Sequence, residues 1–110
     1  MNYLVLKTTE DQIQKAGSVF EAVRGHWSLN PEHARQCDRV IAVCDKVIKE
    51  VFFLDGIYES TILDNKYVFS GVRDYALTDK YEGLEINPNL CLKGAENPVR
   101  YANDKNLFEE

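Results

Sequence analysis

The sequence feature that most constrains the fold is a stretch of strand-forming residues between positions 38 and 54. β-Branched and aromatic side chains dominate segments 40–44 and 47–54, and only Asp45 and Lys46 separate the two. Two such runs around a two-residue polar break indicate a β-hairpin. Asp-Lys is a poorer two-residue turn than Asn-Gly, so a bulged or longer loop is the alternative. Segment 40–44 is apolar throughout, as in a strand at the centre of a barrel or beneath a helix.

Weaker signals on both sides of this hairpin predict the remaining elements. Residues 2–7 favour a first strand, and residues 8–11 favour a turn or a helix cap. Apolar residues at helical spacing then follow as far as Val23, but a Gly-Ser pair interrupts them, which favours one short helix and a second turn or helix. The other predicted elements are a helix that starts around 28–32 and runs to about 36, a strand at 66–70, a helix at 74–83 and a short strand at 99–101.

The chain length limits how these elements are organised. A chain of 110 residues can bury one modest core, which excludes large two-domain enzymes. The order of strand, helices, hairpin, strand and last strand predicts an α+β protein, namely a small, partly open β-barrel of about five strands with two or three short helices. We expect one globular domain over residues 1–103, followed by an acidic tail over residues 104–110 that frays.

Charge and cysteine content narrow the classes of function. The chain carries 13 basic and 18 acidic residues, a formal net charge of −5, which argues against a nonspecific polyanion binder. Residues 1–50 carry seven acidic and seven basic residues, whereas residues 74–110 carry eight acidic and four basic residues. Three cysteines without a C-x-x-C pair suit a reduced intracellular protein, and no apolar run reaches the ~18 residues of a membrane span. We therefore expect a cytoplasmic protein that does not contact membranes.

Residues 24–28, Arg-Gly-His-Trp-Ser, form the first candidate site. A tryptophan face can stack on a base, while an arginine holds a phosphate or a base edge. Arg24, His26, Trp27 and Ser28 are therefore candidate ligand-binding residues. The alternative is that Trp27 is simply the largest core side chain, which pins the helix start against the hairpin.

A second candidate site lies near the end of the chain, where Asn97, Arg100 and Tyr101 supply an amide, a guanidinium and a ring. Its alternative is structural, because Asn-Pro is a common turn and Tyr101 can be a core residue. Tyr58 follows the second arm of the hairpin at a predicted loop position, which suits a pocket residue. Arg39 is a further candidate for contacts with phosphate or base edges.

Motifs of known enzymes are missing from the sequence. It contains no G-x-S-x-G, no Walker phosphate loop, no H-E-x-x-H and no G-x-G-x-x-G. His33 and Cys37 are four residues apart and could share a helix face, but no second pair completes a zinc site. A hydrolase or deaminase would depend only on the proximity of His26, His33, Cys37 and Asp38. We expect no metal, no cofactor and no catalytic residue.

Three features together resemble a known family. They are the first strand beginning Asn2-Tyr-Leu-Val, the loop tryptophan at position 27, and residues 37–43, Cys-Asp-Arg-Val-Ile-Ala-Val, leading into the hairpin. This pattern is similar to the small barrel domains of the PUA-like superfamily, including its EVE and ASCH branches. Such domains bind RNA or DNA, and some hold a modified base in an aromatic pocket. The resemblance implies that Trp27 is a pocket wall and that the hairpin from Asp38 is scaffold.

Two hypotheses of function follow. The first is a nonenzymatic nucleic-acid-binding module, for RNA or DNA, that holds a single modified or flipped base between aromatic side chains. The second is a small acidic protein-binding or inhibitory protein, of an accessory or anti-defence type, whose acidic C-terminal third contacts a basic partner. A positive cleft around Trp27 would favour the first. A continuous negative face built from Asp79, Glu82, Glu85 and Glu96 would favour the second.

Overall fold

A computed structural model describes residues 1–91 and 99–108 of the protein, and these residues form six strands and four short α-helices. The strands are β1 (Asn2–Thr8), β2 (Arg39–Cys44), β3 (Val47–Phe53), β4 (Gly56–Glu59), β5 (Tyr67–Ser70) and β6 (Val99–Asn103). The helices are α1 (Glu10–Ala16), α2 (Val19–Val23), α3 (Pro31–Ala34) and α4 (Tyr75–Tyr81), and a 3₁₀ turn spans Pro88–Cys91.

Four of the strands form one open sheet in the order β3-β2-β1-β6. β1 is parallel to β2, and the β1–β6 and β2–β3 pairs are antiparallel. β4 and β5 form a separate antiparallel pair. The α+β class predicted from the sequence is confirmed, but the described strands do not close into a barrel, so the predicted barrel is not confirmed.

The four-stranded sheet is buried on both faces, and side chains alternate between them. On one face, Val5, Ile41 and Val51 pack with α4 and with Leu107; we call it the α4 face. On the other, Leu6 and Val40 pack with α2, with Ala34 of α3 and with the β4–β5 pair; we call it the α2 face. Burial on both sides explains why β2 is apolar at nearly every position.

The predicted hairpin forms with a tight two-residue turn. Asp45 and Lys46 have φ of 52° and 69°, and Cys44 pairs directly with Val47. Positive φ at both turn residues is the geometry whose twist matches a β-hairpin. A bulge does occur, but inside the strands: Ala42 pairs with Glu50 and Val43 with Ile48, which leaves Lys49 as the extra residue.

The structure corrects one of the predictions. Tyr58 does not lie in a loop but in β4, which the sequence analysis missed because 56–59 is short and has only one inward apolar residue, Ile57. The described part of the predicted tail, Asp104 to Phe108, is packed: Leu107 is 1% exposed, and the ring of Phe108 lies 5.1 Å from that of Tyr81 between centroids.

Among the described residues, no helix is both long enough and apolar enough to span a bilayer.

Candidate functional site

Trp27 is held by its backbone and by its indole group. Its N–H and C=O both pair with Tyr67 at 2.9 Å, which extends the β4–β5 sheet by one bridge. Its indole Nε1 donates to the Val23 carbonyl at 2.7 Å, and the half-buried ring packs on the α2 face. Trp27 therefore connects the end of α2 to β5, which is a structural role.

The other three candidates of residues 24–28 are exposed beside β5. Arg24 lies 3.7 Å from the Glu21 carboxylate, and its backbone carbonyl accepts a hydrogen bond from Phe69 N–H. The hydroxyl of Ser28 accepts a hydrogen bond from the ammonium group of Lys66. None of the three, including His26, lines a cavity that the structure describes.

Arg39 is engaged in the interior rather than open to a ligand. Its Nε donates to the carboxylate of Asp74 at 2.8 Å, its Nη1 donates to the Asp38 carbonyl at 3.0 Å, and its guanidinium lies 4.1 Å above the ring of Phe53. Burial opposes ionisation of Asp74, but hydrogen bonds from the Leu77 backbone and from Arg39 lower its pKa. The pair joins β2 to the start of α4.

Of the second predicted site, the structure describes Arg100 and Tyr101, whereas Asn97 lies outside the described residues. The two described residues point to opposite faces of β6, because side chains alternate along a strand. Arg100 shares the face of Ala102, on the α4 face, and its Nη1 donates to the Val99 carbonyl at 2.8 Å. Tyr101 lies on the α2 face.

Tyr101 is part of a small cleft between α3 and β6, which we call the amide cleft. The cleft has a volume of about 180 Å³. Its walls are formed by Asn2, His33, Gln36, Cys37, Tyr101, Ala102, Asn103 and Asn106. The imidazole of His33 stacks on the ring of Tyr101, with 3.8 Å between centroids and an angle of 11° between planes.

Local sequence positions the walls of the amide cleft. Asn30 caps α3, because its Oδ1 accepts from the N–H groups of Glu32 and His33 at 3.0 and 3.2 Å, and this cap places His33 over β6. On the opposite wall, the side chains of Asn103 and Asn106 cap a turn after β6. Asn2 joins them because β1 pairs with β6, with Asn2 opposite Asn103.

Several polar groups of the cleft have no hydrogen-bond partner among residues 1–91 and 99–108. The side-chain oxygens of Asn103 and Asn106 accept backbone N–H groups, so their Nδ2 groups remain available as donors. The carboxamides of Asn2 and Gln36 make no hydrogen bond to a described residue. Among the residues that the structure describes, no carboxylate, ammonium or guanidinium lines the cleft. The described walls therefore offer hydrogen bonds from neutral carboxamides.

The thiol of Cys37 lies in the wall of the cleft, 3.9 Å from the His33 carbonyl. Burial, with a smaller effect of the nearby Asp38 carboxylate, raises the pKa of Cys37 to about 11. A raised pKa disfavours the thiolate, which is the nucleophilic form. Within the described residues, no group of three or more His, Cys, Asp or Glu side chains could hold a metal ion.

Burial also raises the pKa of Tyr101. Its hydroxyl is buried and no atom of the structure meets hydrogen-bond geometry with it, although the Asn30 backbone lies close enough to favour the phenolate slightly. The ring of Tyr101 is the part that stacks on His33.

Tyr58, the remaining candidate, lines a separate depression that we call the Tyr58 groove. Its volume is about 410 Å³. Its walls are Arg35, Leu54, Asp55, Gly56, Ile57 and Tyr58. The structure thus separates the predicted residues: Tyr101 lies in one depression, Tyr58 in another, and the other described candidates line neither.

Sequence reasoning missed most of the amide cleft. From the sequence, His33 and Cys37 are considered only for a metal site or for a hydrolase or deaminase, and Gln36, Asn2, Asn103 and Asn106 are not singled out. A cluster of Asn residues near the chain end was visible in the sequence, but nothing local indicated that β6 would pair with β1 and bring Asn103 beside Asn2.

Fold and cleft together define a small α+β protein with an open two-faced sheet and a neutral, amide-lined depression at one end of it. No family model, no curated protein and no solved structure matches this chain.

Proposed function

We propose that the protein is a nonenzymatic nucleic-acid-binding module that holds a single base in the amide cleft. The observation that supports this proposal is the combination of unpaired carboxamides with the stacked rings of His33 and Tyr101 in one uncharged depression. The partly open, PUA-like barrel inferred from the sequence belongs to the same proposal, because such domains bind RNA or DNA.

Size and chemistry favour a base as the occupant. The cleft volume of about 180 Å³ is below the roughly 300 Å³ of sites for drug-sized ligands, so it suits one planar ring system. Carboxamides carry a donor and an acceptor side by side, and Asn and Gln read base edges in this bidentate way. The described walls hold no carboxylate, ammonium or guanidinium, which disfavours a free phosphate or a metal cation there.

The overall charge of the protein agrees with recognition of a base rather than of the phosphate backbone of a nucleic acid. With a net charge of −5 the protein neutralises few phosphates, so its affinity is expected to depend only weakly on salt.

The test is a titration of ¹⁵N-labelled protein with the four ribonucleosides, the four deoxynucleosides and common methylated bases, read from the side-chain amide signals. We expect saturable shifts of the Asn2, Gln36, Asn103 and Asn106 carboxamides with a subset of bases. Gln36→Ala removes an exposed amide without a described partner and should weaken binding about fivefold, since a hydrogen bond contributes about 1 kcal/mol. Gln14→Ala, on the exposed side of α1, is the matched control. No shift at millimolar ligand would overturn the proposal.

An acidic surface supports a second candidate, the protein-binding function. Asp79, Glu82 and Glu85 are exposed in and after α4, and none of them forms an ion pair with another described residue. Such a surface attracts a basic partner. Salt-sensitive binding of an arginine-rich peptide, lost when Asp79 and Glu82 are changed to Lys, would support this candidate, and binding that survives the change would exclude it.

A further inference from the structure

The amide cleft and the Tyr58 groove lie on the two sides of one short segment. Gln36 lines the cleft, and its neighbour Arg35 lines the groove. Adjacent Cα atoms are about 3.8 Å apart, so Arg35 and Gln36, directly after α3, form a ridge that the two depressions share.

Arg35 has the only guanidinium in the described walls of either depression. Its Nη2 donates to the Ile57 carbonyl at 3.1 Å, which fixes the side chain over β4. Its Nη1 pairs with Glu32 at 3.2 Å, but the Arg35 and Glu32 side chains are 47% and 83% exposed. Exposed ion pairs of this kind are weak, so a phosphate can replace the Glu32 carboxylate at Nη1.

Tyr58 provides a ring on the far side of the ridge. The ring is 55% exposed and lies over Gly56, where an added Cβ would meet the ring atoms at 2.4 to 2.7 Å. A tyrosine that covers its own strand leaves its outer face open to solvent. Such a face is a platform for a second base.

We propose that the cleft and the groove are two subsites for one single-stranded nucleic acid. One base occupies the amide cleft, the phosphate that follows contacts Arg35, and the next base stacks on Tyr58. This inference rests on the proposed function and makes its ligand an oligonucleotide of at least two residues, not a free nucleoside.

The experiment compares nucleosides with the corresponding dinucleoside monophosphates, as RNA and as DNA, by calorimetry on the full chain. A stacked base contributes enough to tighten binding about tenfold, so the dinucleotide should bind at least tenfold more tightly than its nucleoside. Tyr58→Ala and Arg35→Gln should each remove most of this gain and leave nucleoside binding unchanged.

Two control variants make the same substitutions, Arg to Gln and Tyr to Ala, at positions outside both depressions. Arg24 makes an equivalent i,i+3 pair with Glu21 but lines neither depression, so Arg24→Gln should retain the gain. Tyr75 is 71% exposed on α4, so Tyr75→Ala should retain it as well.

The outcomes separate the two proposals. A dinucleotide that binds no more tightly than its nucleoside, or a gain that both Tyr58→Ala and Arg35→Gln retain, overturns the two-subsite inference and leaves the base site intact. If neither ligand binds, the proposed function fails and this inference fails with it.

Discussion

Among single residues, Asp74 makes two contacts that join different layers of the protein. Its Oδ1 accepts from Leu77 N–H and caps α4, while its Oδ2 accepts from Arg39 of β2. The residue is 4% exposed, and its hydrogen bonds lower its pKa against the effect of burial. The ionised carboxylate therefore stabilises the folded state.

Replacing this carboxylate tests its role. We expect Asp74→Asn to lower the free energy of unfolding by about 3 kcal/mol at pH 7, because Arg39 is left with an uncompensated charge in a mostly buried place. Because the folded pKa lies below the unfolded value, the contribution of Asp74 is present above the unfolded pKa and is lost as pH falls through the folded one. Urea unfolding measured from pH 7 to pH 2 should thus show that the free energy of unfolding falls less on acidification in the variant than in the parent protein.

The exposed Asp79 supplies the comparison for Asp74. Asp79→Asn should change the free energy of unfolding by less than about 0.5 kcal/mol. Equal effects of the two substitutions would show that the Arg39 pair does not stabilise the fold.

At the scale of elements, short helices with side-chain caps set the positions of functional groups. α3 has four residues and depends on its N-cap, Asn30, and α2 has five and begins with the equivalent cap, Ser18. Helices this short are unstable alone, so caps and packing hold them in place. His33 of α3 is stacked on Tyr101 only while α3 keeps its geometry.

Asn30→Ala should separate stability from binding. We expect it to lower the free energy of unfolding by about 1 kcal/mol, as the loss of an N-cap usually does. It should also weaken nucleoside binding at least fivefold, because His33 is no longer fixed over β6. Ser18→Ala removes a cap from α2 and should cost similar stability while the affinity stays the same. If both variants keep full affinity, the position of His33 does not matter for binding.

At the scale of the whole molecule, the sheet brings the two ends of the chain together. β1 and β6 are neighbours, and the Met1 amino group pairs with Asp104 at 2.5 Å. Leu107 then enters the core of the α4 face, while Asn103 and Asn106 reach the amide cleft. The C-terminal segment is therefore part of both the core and the proposed site.

Leu107→Ala measures this contribution. Truncation of a fully buried leucine lowers the free energy of unfolding by about 2–5 kcal/mol, and we expect urea unfolding to show a decrease of about 3 kcal/mol here. Leu63→Ala, at a side chain that is 47% exposed, should cost less than about 0.5 kcal/mol. A loss at Leu107 no larger than that at Leu63 would mean that the segment frays in solution, as the acidic sequence first indicated.

How far the sequence predicted the molecule depends on the range of the interactions. The hairpin over 38–54, a helix that starts around 28–32 and a helix within 74–83 were predicted, because turn chemistry, capping and periodicity act between near neighbours. Tyr101 was predicted as a site residue from its type, and it does line the amide cleft. The sequence left open whether Trp27 binds a ligand or belongs to the core. In the structure it packs in the core of the α2 face and connects α2 to β5.

The sequence by itself determined the local elements, the α+β class and a charge that disfavours nonspecific polyanion binding. Only the tertiary structure decided the strand order, the assignment of Tyr58 to β4 and the meeting of Asn2 with Asn103 across the sheet. The reason is physical: contacts between residues about a hundred positions apart depend on burial of both sheet faces at once, and no local pattern records that. The amide cleft exists because of those distant contacts.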